Sequence, residues 1–111
     1  MRKEMEELIV SPHFMSSKRY PSFLRYIVEK ELAGHGDSLK ERTVGVEVFH
    51  RRPDYDTSID TVVRVAAGEV RRRLEVFYHE SELEHPIQIS LPAGSYVPKF
   101  LRICVNRVQP Q

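Results

Sequence analysis

Between residues 64 and 73 the chain carries the arginines Arg64, Arg71, Arg72 and Arg73, and its only acid there is Glu69. A guanidinium is a planar fork of donors that pairs with phosphate oxygens or with the edge of a guanine. Placed on a helix, Thr61, Arg64, Gly68, Arg71, Arg72 and Glu75 share the face away from the apolar stripe Ile59, Val63, Ala66, Val70, Leu74 and Phe77. A helix has the width to enter a major groove. Arg64, in its first half, is placed to reach base edges, and Arg71 and Arg72 are placed for phosphates. Gly68 offers room for a sugar-phosphate backbone. The competing reading is a solvated helix face, because the whole chain carries a net charge of only +1. Placement of charge, and not its total, therefore decides the case.

Other constellations point to no chemistry. Asp54, Asp56 and Asp60 lack the central glycine and terminal glutamate of a calcium loop, so they read as turn and capping residues. The histidines His13, His35, His50, His79 and His85 show no ligand spacing and read as surface or partly packed residues. Gly34 and Gly36 follow a helix and not a strand, which excludes a phosphate loop. Cys104 has no companion for a disulfide and no motif-matched base. No catalytic residue, metal or cofactor is expected.

The elements that must position the arginines follow from periodicity. Glu4 to Val10 reads as one or two helical turns, broken at Ser11-Pro12. Tyr20, Phe23, Leu24, Ile27, Val28 and Leu32 form one stripe, which predicts a helix over about 20–33 with Pro21 in its first turn and a stop at Gly34. Leu39, Val44, Val48 and Phe49 predict a third helix from about Glu41 to His50, although the β-branched run there also permits a strand. Gly45 within it suggests close packing of another helix. Thr57 and Asp60 have capping-box spacing, so the long helix is expected over about 59–79. After Pro86 the period becomes two: Ile87, Ile89 and Leu91, a turn at Pro92-Ala93-Gly94-Ser95, then a returning strand from Tyr96 to Ile103 that Pro98 confines to an edge.

With 111 residues, 41% hydrophobic and 30% charged, the chain is expected to form one globular domain over 1–103, with 104–111 a tail or a linker cut short. No apolar run approaches the ~18 residues of a membrane span. The acidic N-terminus argues against a secretory signal, and the expected location is the cytoplasm. Helices first and a hairpin last give a mainly α fold with a C-terminal β-hairpin, the outline of a winged helix-turn-helix.

The run TVVRVAAGEVRRRLE (Thr61–Glu75), followed by IQISLPAGSYVPKF (Ile87–Phe100), resembles the effector domain of OmpR/PhoB-type response regulators. Val70-Arg71-Arg72-Arg73-Leu74 stands for that family's basic helix ending. Gly94-Ser95-Tyr96 stands for its glycine-x-glycine-tyrosine hairpin, with Ser95 replacing the second glycine. Phe49-His50 stands where the family commonly has an aromatic residue and glycine. The stretch from Leu39 to Glu75 is similar to winged-helix modules at the N-termini of larger bacterial proteins. No receiver domain is read within these 111 residues, a helical segment is expected in place of the family's N-terminal sheet, and Glu69 replaces a basic or polar residue.

The resemblance implies sequence-specific binding of double-stranded DNA in transcription regulation. The long helix would enter the major groove, and the hairpin wing 87–100 would meet the backbone or minor groove. It assigns contacts to Arg64, Arg71 and Arg72, with Thr61 at the helix entrance and Ser95 and Lys99 on the wing. Arg51 and Arg52 lie where the family touches backbone or RNA polymerase. Arg73 is expected to pair with Glu69 or Glu47. One domain reads few bases, so homodimeric or tandem binding is expected. The alternative is a winged-helix module that docks a protein partner or a downstream domain without binding DNA; the acids Asp54, Asp56, Glu82 and Glu84 leave room for it.

Overall fold

The computed structural model describes residues 2–81 and 85–102. Its helices are α1 (Arg2–Ile9), α2 (Pro12–Met15), α3 (Arg19–Leu32), α4 (Glu41–Glu47) and α5 (Val62–Glu80), followed by strands β1 (Ile87–Ser90) and β2 (Lys99–Arg102). Among the described residues the expected order of helices followed by a two-stranded hairpin is present. The tail 104–111, with Cys104, and the acids Glu82 and Glu84 lie outside the described residues.

The core is where the helical stripes meet. Met5 and Leu8 of α1, Phe14 of α2, Phe23, Leu24, Ile27 and Val28 of α3, and Val63, Ala66, Val70 and Leu74 of α5 are buried together. Ile89 and Leu91 close this core from the hairpin side. Each buried aliphatic or aromatic side chain contributes roughly 1.5–3 kcal/mol, so this assembly dominates folding. Leu32, expected in the α3 stripe, sits past the edge of the core and is 38% exposed. At the end of α3, Gly34 takes a φ of +83°, and the His35 N–H donates to the Lys30 carbonyl at 2.9 Å. This is the left-handed stop that glycine permits.

Helix α4 is shorter than its apolar spacing suggests. It ends at Glu47, and His50 swings to a φ of +58°. That left-handed conformation is the one glycine adopts most readily. The close neighbour of Gly45 is not a helix but a ring: a Cβ there would lie 2.1 Å from the Tyr55 hydroxyl oxygen. Tyr55 folds back over α4 from the loop and donates to the Glu41 carbonyl at 3.3 Å. Arg42 lies over the same ring and donates to the Pro53 carbonyl at 3.0 Å, so the α4–α5 connection is pinned along its length.

The start of α5 also differs. Thr57 does not cap it. The helix begins at Val62, whose N–H donates to Asp60 Oδ1 at 3.2 Å, while Asp56 Oδ1 accepts from the Ser58 N–H at 2.9 Å. Those aspartates are the expected turn and cap residues, displaced toward a later start. Ile59 therefore precedes the helix and is 80% exposed, outside the stripe to which its spacing assigned it.

The hairpin pairs Ile87 with Arg102, Gln88 with Leu101, Ile89 with Phe100 and Ser90 with Lys99, antiparallel. Its return strand starts at Lys99 and not at Tyr96; Pro98, which has no N–H to donate, lies just before the pairing and so breaks no bond in it. Gly94 has a φ of +78° in the turn, where the Ser95 N–H donates to the Pro92 carbonyl at 3.2 Å. The hairpin is fastened to the helices by Tyr78, whose hydroxyl donates to Glu4 Oε2 at 2.6 Å and accepts from the Ile89 N–H at 3.0 Å.

Candidate functional site

Burial of one side of α5 turns its other side outward. Arg64, Val65 and Arg72 are exposed, and a Cβ added to Gly68 would meet nothing within 4 Å. Thr61, the residue before the first helical turn, is half-buried at the entrance of this face. The loop Pro92–Pro98 lies alongside. Between loop and helix is an open cleft of about 510 Å³ lined by Glu41, Arg64, Ala67, Arg71, Gly94, Ser95 and Tyr96. Two guanidinium groups and one carboxylate leave this cleft with an excess positive charge.

Most of the arginines have local partners. Arg64 Nε donates to Glu41 Oε2 at 3.0 Å, and its Nη2 donates to the Thr57 carbonyl. Its side chain remains 50% exposed, so this clamp faces water. Arg72 donates to Glu69 Oε1 at 2.9 Å, which holds the Glu69 carboxyl below the usual glutamate range, and Arg73 adds to the effect. The same bond raises Arg72 above the ordinary arginine value. With the Arg64 and Arg72 guanidinium groups in water, these two pairs are worth little in stability.

Arg71 departs from its expected role. Its Nε donates to the Leu91 carbonyl at 2.7 Å and its Nη2 to the Pro92 carbonyl at 3.2 Å, and the side chain is partly buried. It holds the hairpin loop against α5 by gripping two carbonyls just past the end of β1. Its charge meets no carboxylate among the described residues, so it still contributes positive potential to the cleft.

Arg73 turns inward, as its place beside the stripe suggested. It pairs with Glu69 at 3.3 Å, not Glu47, donates to the His13 carbonyl at 2.7 Å, and lies 4.7 Å from the centre of the Tyr20 ring. Arg51 is tied across the α4–α5 connection, its Nε 2.6 Å from Asp60 Oδ2. That bond outweighs burial and depresses the Asp60 carboxyl below the usual range. Arg52 is an exposed tip residue 3.4 Å from Asp54. On the hairpin, Ser95 Oγ accepts from the Val97 N–H at 3.0 Å, so this hydroxyl shapes the loop. Lys99 is exposed and has no ion-pair partner among the described residues.

The structure therefore gathers Thr61, Arg64, Gly68 and Arg72 on one face and brings Arg71 and Ser95 to its border. Arg51, Arg52 and Lys99 lie apart from the cleft lining. Three members of the surroundings were missed. Val65 lies off the buried stripe by helical spacing, which was signal enough to find it. Glu41 and Tyr96 reach the cleft only through tertiary packing; burial first, then the Glu41 charge, raise the Tyr96 phenol above the ordinary tyrosine value.

No protein-family model, curated protein or solved structure matches the chain.

Proposed function

We propose that the chain is a winged helix-turn-helix domain that binds double-stranded DNA in transcription regulation. In this reading α5 enters the major groove, and the Pro92–Lys99 segment meets the sugar-phosphate backbone or the minor groove. The observation that carries it is the outward face of α5, with Arg64, Val65, Gly68 and Arg72 unroofed beside the hairpin loop. Arg64 and Arg72, themselves exposed, exchange their half-buried carboxylate partners for phosphate or base edges. Arg71 fixes the loop beside the helix and adds positive charge.

Affinity comes mostly from phosphate neutralisation, and four to six contacts give a salt slope of about −4 to −5. The test is titration of a labelled duplex pool at two salt concentrations with the wild type and an Arg64→Ala/Arg72→Ala variant. Salt-sensitive binding that the variant loses by tenfold or more is expected. Equal binding by the variant overturns the reading.

Docking of a protein partner on the same face is the second reading, favoured by Ile59 and Val65, which are 80% and 57% exposed. A folded wild type that binds no duplex at low salt favours that one.

A further inference from the structure

At the far end of α5, away from the cleft, a second polar group is assembled from distant parts of the chain. Glu4 and Glu7 sit three residues apart on α1, hence on one helix face, and His85 lies just before β1. One donor atom from each of these three residues lies within 4.8 Å of the others. His85 Nδ1 is 3.1 Å from Glu4 Oε2 and 3.2 Å from Oε1. Both side chains are buried, at 5% and 10% exposure, although His85 reads in the sequence as a surface or partly packed histidine.

We propose that Glu4, Glu7 and His85 form a zinc(II) site. Five observations carry it. The donor set is one imidazole nitrogen and two carboxylates, which suits zinc better than calcium or magnesium, both of which prefer all-oxygen sets. Ligands held 2.0–2.1 Å from a tetrahedral centre stand about 3.3 Å apart, close to the Glu4–His85 spacing.

The supporting shell is already built. Tyr78 donates to Glu4 at 2.6 Å, and Ser81 Oγ lies 2.7 Å from His85 Nε2, so a second contact orients the imidazole with Nδ1 toward Glu4. The charge is also unbalanced. Two carboxylates face one imidazole, Glu7 has no ion-pair partner among the described residues, and no lysine or arginine there pairs with Glu4. A divalent cation supplies what is missing. A cavity of about 380 Å³, lined by Glu7, Ser81, His85 and Phe77 among others, opens beside the donors and leaves room for a fourth ligand.

Zinc here would cross-link α1 to the start of the hairpin. Because it stabilises only the folded chain, binding raises the melting temperature. The site is independent of the α5 face, and so is its test. The whole chain in a Cys104→Ser background, stripped of metal, is titrated with zinc chloride by calorimetry and with cobalt(II) by visible absorption.

One equivalent is expected to bind, with tetrahedral cobalt bands and a rise in melting temperature of about 5 °C or more at saturation. Magnesium should do nothing. Glu7→Gln, which leaves the Glu4–His85–Tyr78 network intact, should weaken zinc at least tenfold without changing the metal-free melting temperature. His13→Gln should bind as the wild type does, because His13 pairs instead with Glu80, 3.1 Å away on the other side of the cavity. Absence of binding by the folded wild type, undiminished affinity in Glu7→Gln, or loss of binding in His13→Gln overturns the proposal.

Discussion

The Arg71 guanidinium, on the middle of the long helix, donates to the main-chain carbonyl of Leu91 at 2.7 Å. One side chain thereby sets where the hairpin loop stands relative to the exposed face of α5. A hydrogen bond from a charged donor contributes about 1.5–3 kcal/mol, and the two bonds made by this one half-buried side chain add to less than twice that. Arg71→Ala is expected to cost about 1–3 kcal/mol in urea unfolding. It should also raise amide exchange in the Pro92–Val97 loop while leaving the α3 amides protected. Arg71→Lys, which cannot span both carbonyls with one fork, should recover less than half of the loss.

The Glu41–Arg64 pair makes an opposite prediction for binding. Glu41 neutralises the arginine that the proposed function places at the base edges. In Glu41→Gln that competition disappears, along with a negative charge in the cleft. Duplex affinity at low salt should rise about two- to fivefold, with a stability change below about 1 kcal/mol, as read by fluorescence anisotropy and thermal unfolding.

Gly45 and Tyr55 form a tight steric pair. A methyl group on residue 45 collides with the Tyr55 hydroxyl and ring, at 2.1–2.8 Å. Gly45→Ala is therefore expected to destabilise by about 1–3 kcal/mol, although alanine is the better helix former. In a Tyr55→Ala background the same substitution should cost much less. A double-mutant cycle measures that coupling.

Acid should loosen the α4–α5 connection. The Arg51 bond holds the Asp60 carboxyl below its ordinary value, so the folded state binds that proton less tightly than the unfolded chain does. The stabilisation is present above the unfolded value of about 3.9 and is lost as pH falls through the lower folded value. Carboxyl NMR titration of Arg51→Ala should show the Asp60 midpoint moving upward.

What could be read in advance was whatever repeats locally. The α3 and α5 stripes and the Gly94 turn depend on spacing within a few residues, and they lie close to where the pattern put them. Ile59 fits the α5 stripe by spacing, but Asp60 caps the helix after it, so helical phase alone misplaces it. The Gly45–Tyr55 clash and the Arg71 anchor join residues ten and twenty positions apart across loops, where no periodic signal exists. On the site, Arg64, Gly68 and Arg72 were legible as a face. Their neutralising partners were not, because Glu41 arrives from another helix.

The Tyr78 hydroxyl and the Glu4–His85 pair join the first helix to the beginning of the hairpin, across 81 positions in the second case. Helix α1 has eight residues, fewer than the ~12–15 an isolated helix needs to persist in water. During synthesis α1 can thus dock first on α3, where Arg25 meets Glu6 at 2.8 Å, and it is locked in place only after the residues up to β1 have been made.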